Sequence, residues 1–219
     1  MKNRGEWAGL PLLVSLLLAC FRAARAGEGE GTSQPPRDLT GLSIEELMDP
    51  ITEHEVKAAY LYNFARFIEW PESTFATPEA PLIFAVVGED PLVGALELAL
   101  KQKKIGGREV VLRRFRSAGE LPGDPTACHL LFVARSEEDR WPQIRASLEK
   151  QSTLTVSDLE DFTRTGGVIC FFREGKKVRF EVNIDAACRA GLKLSSKLLK
   201  LAAIVHDPPA DQGEKGGEK

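Results

Sequence analysis

Two almost uninterrupted apolar runs constrain the fold of this chain more than any other feature. They are LIFAVVG at 82–88 and HLLFVA at 129–134. A strand with one face in solvent alternates apolar and polar residues, whereas a strand buried on both faces reads as a continuous apolar run. The two runs therefore predict central strands of a parallel sheet that is covered by helices on both sides.

The segments around these runs alternate between helical and extended patterns. Helices are predicted at 92–103, 137–150 and 185–205, further strands at 108–115 and 152–158, and a hairpin at 166–183 with its turn near Glu174-Gly175. Such alternation is typical of βα units. The predicted fold class is α/β: a single three-layer domain with a mostly parallel sheet, an antiparallel edge hairpin and flanking helices.

The ends of the chain are predicted to lie outside this domain. Residues 1–26 have the pattern of a signal peptide, with Lys2 and Arg4 before an apolar run. Cleavage after Ala26 and lipidation of Cys20 both fit, so the protein is expected in the periplasm, membrane-anchored if Cys20 is lipidated. Residues 27–50 are predicted as a flexible linker, 51–206 as the folded domain and 207–219 as a disordered polar tail.

The segment EHEVKAAYLYNFARFIEWPE (53–72) predicts a single helix with a broad aromatic and aliphatic face. Thr52 and Glu55 have capping-box spacing at its start. Pro71 is expected to end the helix at Trp70, because a residue before proline is pushed out of helical geometry. Most of these aromatic side chains are interpreted as core.

Four residues of this helix are candidate binding residues: Tyr62, Asn63, Arg66 and Trp70. Asn63 falls within the apolar face, so its amide is expected to bond a loop or a helix end. Tyr62 is expected to point the opposite way, beside Arg66. That position suits an interface anchor, and it also suits an ordinary surface tyrosine.

Composition and motifs exclude several classes of function. A formal net charge of −3 provides no overall positive field for a nucleic acid. The histidines His54, His129 and His206 have no metal-ligand spacing, and the sequence holds no hydrolase, metalloprotease or nucleotide-binding motif. No catalytic residue, metal or cofactor is predicted, and the protein is interpreted as non-enzymatic.

An open α/β sheet offers a crevice at the carboxyl ends of its strands. The residues expected there are Gly88, Glu89, Asp90, Arg135, Ser136, Ser157 and Asp158. They predict a site for a small ligand, and the alternative is that they are ordinary loop and helix-cap residues. Of these, Glu89, Asp90, Ser157 and Asp158 are retained as candidate binding residues.

The predicted last helix carries a basic stripe. Arg189, Lys193, Lys197 and Lys200 recur at helical spacing, opposite three leucines. In an exported protein this stripe could attract an acidic partner or anionic lipid, although such a stripe is usually a solvated face.

Three cysteines remain after the signal peptide: Cys128, Cys170 and Cys188. An oxidising compartment allows at most one internal disulfide among them, and the sequence does not indicate which pair. The alternative is that they are buried as small apolar side chains.

Three segments together resemble the YfiR/HmsC family of small periplasmic proteins. They are EHEVKAAYLYNFARFIEWPE, LTVSDLEDFTRTGGVICFFREGKKVRFEVN and AACRAGLKLSSKLLKLAAIV. The family pattern has Asn in place of Cys170 and Arg or Ala in place of Cys188, so the resemblance does not assign a disulfide here.

The resemblance implies a function that composition does not show. YfiR-like proteins bind the periplasmic sensor domain of an inner-membrane diguanylate cyclase and hold it inactive, which lowers cyclic-di-GMP and biofilm formation. The resemblance further implies an outer-membrane lipoprotein as a second partner, and a homodimer. The alternative interpretation is a periplasmic small-ligand sensor that acts on another receptor.

Overall fold

The computed structural model describes residues 51–122, 128–149 and 151–207. The predicted signal peptide, Cys20, the linker and residues 208–219 of the predicted tail lie outside these ranges. The helices are α1 (Glu53–Arg66), α2 (Leu92–Leu100), α3 (Trp141–Leu148), α4 (Ile184–Arg189) and α5 (Ser196–Leu199). The strands are β1 (Ile68–Glu69), β2 (Leu82–Val87), β3 (Lys104–Ile105), β4 (Arg108–Phe115), β5 (Leu130–Val133), β6 (Leu154–Ser157), β7 (Ile169–Glu174), β8 (Lys177–Asn183), β9 (Lys193–Leu194) and β10 (Ala203–Val205).

The main sheet has eight strands in the order β10-β8-β7-β6-β5-β2-β4-β3, and β1 pairs separately with β9. All neighbours in the main sheet are parallel except β7 with β8 and β3 with β4. The predicted mostly parallel sheet with an antiparallel hairpin and flanking helices is therefore confirmed. The hairpin turn follows Glu174, and the short parallel strand β10 lies outside β8.

Both faces of the sheet are buried, as the apolar runs predicted. On one face α1 packs its aromatic side chains against the hairpin: the Phe64 ring centroid lies 5.6 Å from that of Phe171 and 4.8 Å from that of Phe180. On the other face Trp141 of α3 packs against Phe162, with centroids 4.3 Å apart, over apolar residues of β2 and β5. Every side chain of β2 and β5 is buried as a result.

The capping box of α1 is confirmed, but the predicted end of the helix is wrong. The Glu55 amide donates to the Thr52 hydroxyl, and the Thr52 amide donates to the Glu55 carboxylate. The helix ends at Arg66, because the next residues turn into β1, where Ile68 pairs with Leu194. Trp70 is held outside the helix, and its indole N–H donates to the carbonyl of His129 at 3.1 Å.

The predicted long helix at 185–205 is also wrong. It ends at Arg189, and Gly191 then adopts a φ of +68°, a conformation that glycine reaches without steric cost. The chain continues as β9, where the Ser195 amide donates to the Phe67 carbonyl, and then as β10 alongside β8. Pairing with remote strands therefore overrides the helical spacing of the leucines.

His129 lies buried at the start of β5, with 3% of its surface exposed. Its Nδ1 accepts a hydrogen bond from the Ile83 amide at 3.0 Å, and its ring stacks on Phe75 at a centroid distance of 4.5 Å. Burial lowers the pKa of His129 to about 4. The folded protein thus requires the neutral imidazole, since a proton on Nδ1 would remove the acceptor.

Because the pKa of His129 is lower in the folded than in the unfolded state, stability is full above about pH 6.5 and falls as the pH drops toward 4. Between pH 7 and pH 4.5 we expect His129 to account for a loss of about 2–3 kcal/mol of unfolding free energy. Urea unfolding of the wild type and His129→Asn at both pH values measures this, since Asn keeps an acceptor but does not titrate. An equal pH-dependent loss in the two proteins would contradict the expectation.

Candidate functional site

A crevice with a volume of about 430 Å³ opens at the carboxyl ends of β6 and β7. Its walls come from the first turns of α1, the loops after β5 and β6, and the hairpin β7–β8. Its lining includes Glu53, Lys57, Arg135, Asp158, Cys170 and Phe172. Two of the predicted crevice residues, Arg135 and Asp158, are brought together here.

Lys57 is the central charged residue of the crevice. Its side chain is only 8% exposed, and its ammonium lies 2.7 Å from Asp158 Oδ2 and 2.8 Å from Glu53 Oε1. Burial alone would lower the pKa of Lys57, but hydrogen bonds to Asp158 and Glu53 outweigh it, and the pKa is raised. The same hydrogen bond lowers the pKa of Glu53. Lys57 and Glu53 therefore both carry charge at neutral pH.

Asp158 links the crevice to the strand ends. Its backbone carbonyl accepts a hydrogen bond from the Arg135 guanidinium at 3.1 Å, while Oδ1 is buried with no partner among the described residues. Ser157, one residue earlier, is fully buried: its hydroxyl donates to the Val133 carbonyl and accepts from the Leu159 amide. Ser157 thus ties β6 to β5 and fixes the backbone that presents Asp158.

The other predicted crevice residues do not line this cavity. Asp90 Oδ1 accepts a hydrogen bond from the Leu92 amide at 2.7 Å, so it caps the start of α2. Glu89 is exposed, and its amide donates to the Ser136 hydroxyl. Asp90 is therefore a helix-cap residue, as the alternative interpretation expected, and not part of a ligand site in this crevice.

The three cysteines among the described residues, Cys128, Cys170 and Cys188, are free thiols. Cys128 and Cys170 are buried, whereas Cys188 is exposed and does not fit the expectation of a buried small side chain. Cys170 lines the crevice, and its thiol donates to the Leu159 carbonyl at 3.2 Å. Burial raises the pKa of Cys170 to about 12, so it remains a thiol at neutral pH.

Tyr62 does not point to solvent as expected. It is 8% exposed and belongs to the main core. Arg66 is exposed, with its guanidinium carbon 5.8 Å from the Tyr62 ring centroid. Asn63 is buried as predicted, yet its Oδ1 has no hydrogen-bond partner among the described residues.

The predicted basic stripe does not exist as a helical face. Arg189 lies at the end of α4, Lys193 in β9 and Lys197 in α5, so the three residues belong to three separate elements. Arg189 pairs with Asp207, which also accepts from the fully buried Asn183 amide at 2.8 Å. Asp207, the first residue of the predicted tail, is therefore held by the fold.

Sequence reasoning missed Lys57, the residue on which the crevice is centred. It lies within an apolar run, KAAYLYNF, and Glu53 four residues earlier was the available signal for an ion pair on one helical face. Its second partner, Asp158, lies 101 residues away and is brought in only by the fold.

The arrangement provides a binding surface of paired charges beside exposed aromatic and aliphatic groups. The raised pKa values of Lys57 and Cys170 keep both groups protonated at neutral pH. Phe172 is 39% exposed at the rim, next to Arg173, which pairs with Glu53 at 3.5 Å. In the part of the chain that the structure describes, no helix is long and apolar enough to cross a bilayer.

Two solved structures show similarity to this chain. One is a conserved domain protein from Vibrio cholerae O1 biovar El Tor, with 10% identity, a TM-score of 0.49 and coverage of 70% of this chain and 60% of that chain. The other is the ABC domain in complex with L-Trp from Streptococcus pneumoniae, with 12% identity, a TM-score of 0.45 and coverage of 59% and 56%. This chain thus spans less than two thirds of either structure.

A family model described as YfiR/HmsC-like matches residues 54–203. The match runs from the first turn of α1 to the first residue of β10 and includes the crevice residues named above except Glu53. This family is regulatory rather than catalytic; it is associated with the periplasm and acts with a membrane diguanylate cyclase. Because the match covers most of the chain, the protein belongs to the YfiR/HmsC-like family.

Proposed function

We propose that this protein binds the periplasmic sensor domain of an inner-membrane diguanylate cyclase and represses it, lowering cyclic-di-GMP and biofilm formation. The observation that carries the proposal is the family match over residues 54–203, which takes in nearly all of the described fold. The predicted export signal agrees with a periplasmic site of action. An outer-membrane lipoprotein that sequesters the repressor and a homodimeric state are part of the same proposal.

Repression by binding requires a difference in affinity between two states of the cyclase. A repressor that binds only the inactive sensor conformation shifts the population toward it. Moving an equilibrium from nearly all active to nearly all inactive takes a preference of about 10⁴-fold. No covalent step is needed, and the surface of the repressor provides the preference.

We place the contact at the rim of the crevice, because an exposed aromatic side chain lies there beside charged groups. Phe172 is one of the few exposed large hydrophobic residues among those described, and Arg173 follows it on β7. Aromatic residues with neighbouring arginines are enriched among the residues that dominate binding energy at interfaces.

Deleting the gene should raise cellular cyclic-di-GMP and biofilm mass, and restoring the wild-type gene should reverse both. Complementation with Phe172→Ala should fail, although the variant folds, and the purified variant should bind the cyclase sensor domain at least about tenfold more weakly. Unchanged cyclic-di-GMP in the deletion strain would contradict repression. Full complementation by Phe172→Ala would contradict only the proposed contact.

The crevice itself favours a second candidate function, a periplasmic small-ligand sensor. Its volume of about 430 Å³ suits a small molecule, and its wall contains the charged groups of Glu53, Lys57 and Asp158. A tight ligand would stabilise the folded protein, and so raise its melting temperature, by an amount that grows with the logarithm of the ratio of ligand concentration to Kd. Thermal-shift measurements on the wild type and Asp158→Asn with amines, carboxylates and nucleosides test this function, and no shift with any of them would reject it.

A further inference from the structure

The far edge of the main sheet carries the densest cluster of positive charge in the chain. Residues 101–116 contain seven lysines and arginines and one acidic residue, in a protein whose formal net charge is −3. Five of the cations are exposed: Lys101, Lys104, Arg113, Arg114 and Arg116. This basic edge, formed by β3, β4 and their flanking residues, lies at the end of the sheet farthest from the hairpin.

β4 is only partly covered on its outer side. Its inner side pairs with β2 from Val110 to Phe115, while β3 pairs only with Arg108 and Glu109. Among the described residues, no strand pairs with the outer side of β4 beyond that point. Within the described residues, the second half of β4 therefore presents an open strand edge.

The direction of the backbone groups on this edge follows from two hydrogen bonds. The Val110 amide donates outward, to the Lys103 carbonyl at 3.3 Å, whereas the Phe115 carbonyl accepts from Gly88 on the inner side. Successive residues of a strand in a parallel ladder direct their backbone groups to opposite sides. The N–H and C=O groups of Leu112 and Arg114 therefore point outward along the open edge.

The side chains of this edge alternate between the two faces of the sheet. Val111, 38% exposed, and Arg113 lie on one face, while Arg114 lies on the other, where it pairs with Glu97 of α2. A flat lipid surface would contact one face at a time. An added strand, in contrast, alternates its own side chains and reaches Arg113 and Arg114 together.

We propose that the open edge of β4 binds an extended acidic segment of a partner protein by strand addition. Outward backbone groups of Leu112 and Arg114 would supply the hydrogen bonds, and the net positive charge of residues 101–116 would select for acidic side chains. The inference does not depend on the cyclase assignment, since its test uses neither the cyclase nor cyclic-di-GMP. The competing role for charges on such an edge is protection against aggregation.

The test measures binding of the purified protein to the labelled peptide TEVEETVE, with TKVKKTVK as the charge-reversed control. We expect the acidic peptide to bind, more weakly as salt is raised, and the basic peptide not to bind. Arg114→Pro removes an outward N–H together with the side chain, whereas Arg114→Thr removes the side chain and keeps the N–H. The proline variant should bind at least about tenfold more weakly than the threonine variant.

The double variant Lys176→Glu/Lys177→Glu is a matched charge control at the hairpin turn, and it should bind the acidic peptide as the wild type does. Strand addition would be overturned if the two Arg114 variants bound the acidic peptide with equal affinity. It would also be overturned if the wild type bound both peptides equally well or bound neither peptide. Binding to phosphatidylglycerol vesicles without binding to the peptide would overturn it in favour of a membrane contact. If the Arg114→Pro variant does not fold, amide hydrogen exchange of the wild type provides the test. Strand addition requires the acidic peptide to slow exchange of the Leu112 and Arg114 amides, and unchanged exchange would overturn it.

Discussion

Replacing Phe64 with alanine should lower the free energy of unfolding by about 4 kcal/mol, the largest effect that we expect from one substitution. Phe64 is 1% exposed and contacts three other rings, those of Tyr60, Phe171 and Phe180. Its removal would leave a cavity between α1 and the hairpin, which the surrounding backbone cannot close. Chemical denaturation at pH 7, monitored by tryptophan fluorescence, measures the change.

Phe172→Ala is the matched control for this prediction. Phe172 is the same residue type, adjacent to Phe171 in β7, but it points to the opposite face and is 39% exposed. Its removal should lower the free energy of unfolding by less than about 1 kcal/mol. Similar losses in the two variants would show that the aromatic cluster does not hold α1 to the sheet.

Replacing Lys57 with methionine should lower the free energy of unfolding by about 3 kcal/mol. Methionine fills a similar volume but leaves the carboxylates of Asp158 and Glu53 without the ammonium that lies within 2.8 Å of each. Breaking a buried ion pair on one side is more costly than replacing both partners, because the remaining charge stays poorly solvated. Urea unfolding at pH 7 provides the measurement.

A second substitution separates lost charge pairing from lost packing. Lys57→Met/Asp158→Asn removes both charges of the closest pair and should recover part of the stability lost in Lys57→Met. The exposed pair Glu97–Arg114 serves as a surface reference, and Glu97→Gln should cost less than about 1 kcal/mol. If Lys57→Met cost no more than Glu97→Gln, the Lys57 pair would not be a structural feature of the crevice.

Those parts of the fold that depend on local pattern could be predicted from the sequence. The strand at 108–115 was predicted with the bounds that the structure has, because Val110, Val111 and Leu112 form a run of strand-favouring apolar residues. The buried strands β2 and β5 follow from their apolar runs, and the hairpin from the turn at Gly175. Each of these signals lies within a few neighbouring residues.

The wrong predictions concern segments whose structure is determined by distant partners. Leu194 and Leu198 fit a helical period, yet Leu194 pairs with Ile68 in a two-stranded sheet that local pattern does not indicate. Tyr62 was placed on the surface by helical geometry, but it is 8% exposed and belongs to the main core, because α1 is buried on nearly all sides. For the same reason only a small part of the crevice was predicted: Arg135 and Asp158 follow their strands closely, whereas Lys57 reaches Asp158 from α1.

The contact between α1 and the hairpin joins the two ends of the domain, and this affects how the chain is made. Tyr60 and Phe64 of α1 contact Phe171 and Phe180 of the hairpin. The ribosome synthesises Phe171 and Phe180 more than a hundred residues after Tyr60 and Phe64. Until the ribosome has released the hairpin, the aromatic side of α1 has nothing to cover it. We therefore expect the packing of α1 against the hairpin to be completed only after Phe180 has left the ribosome.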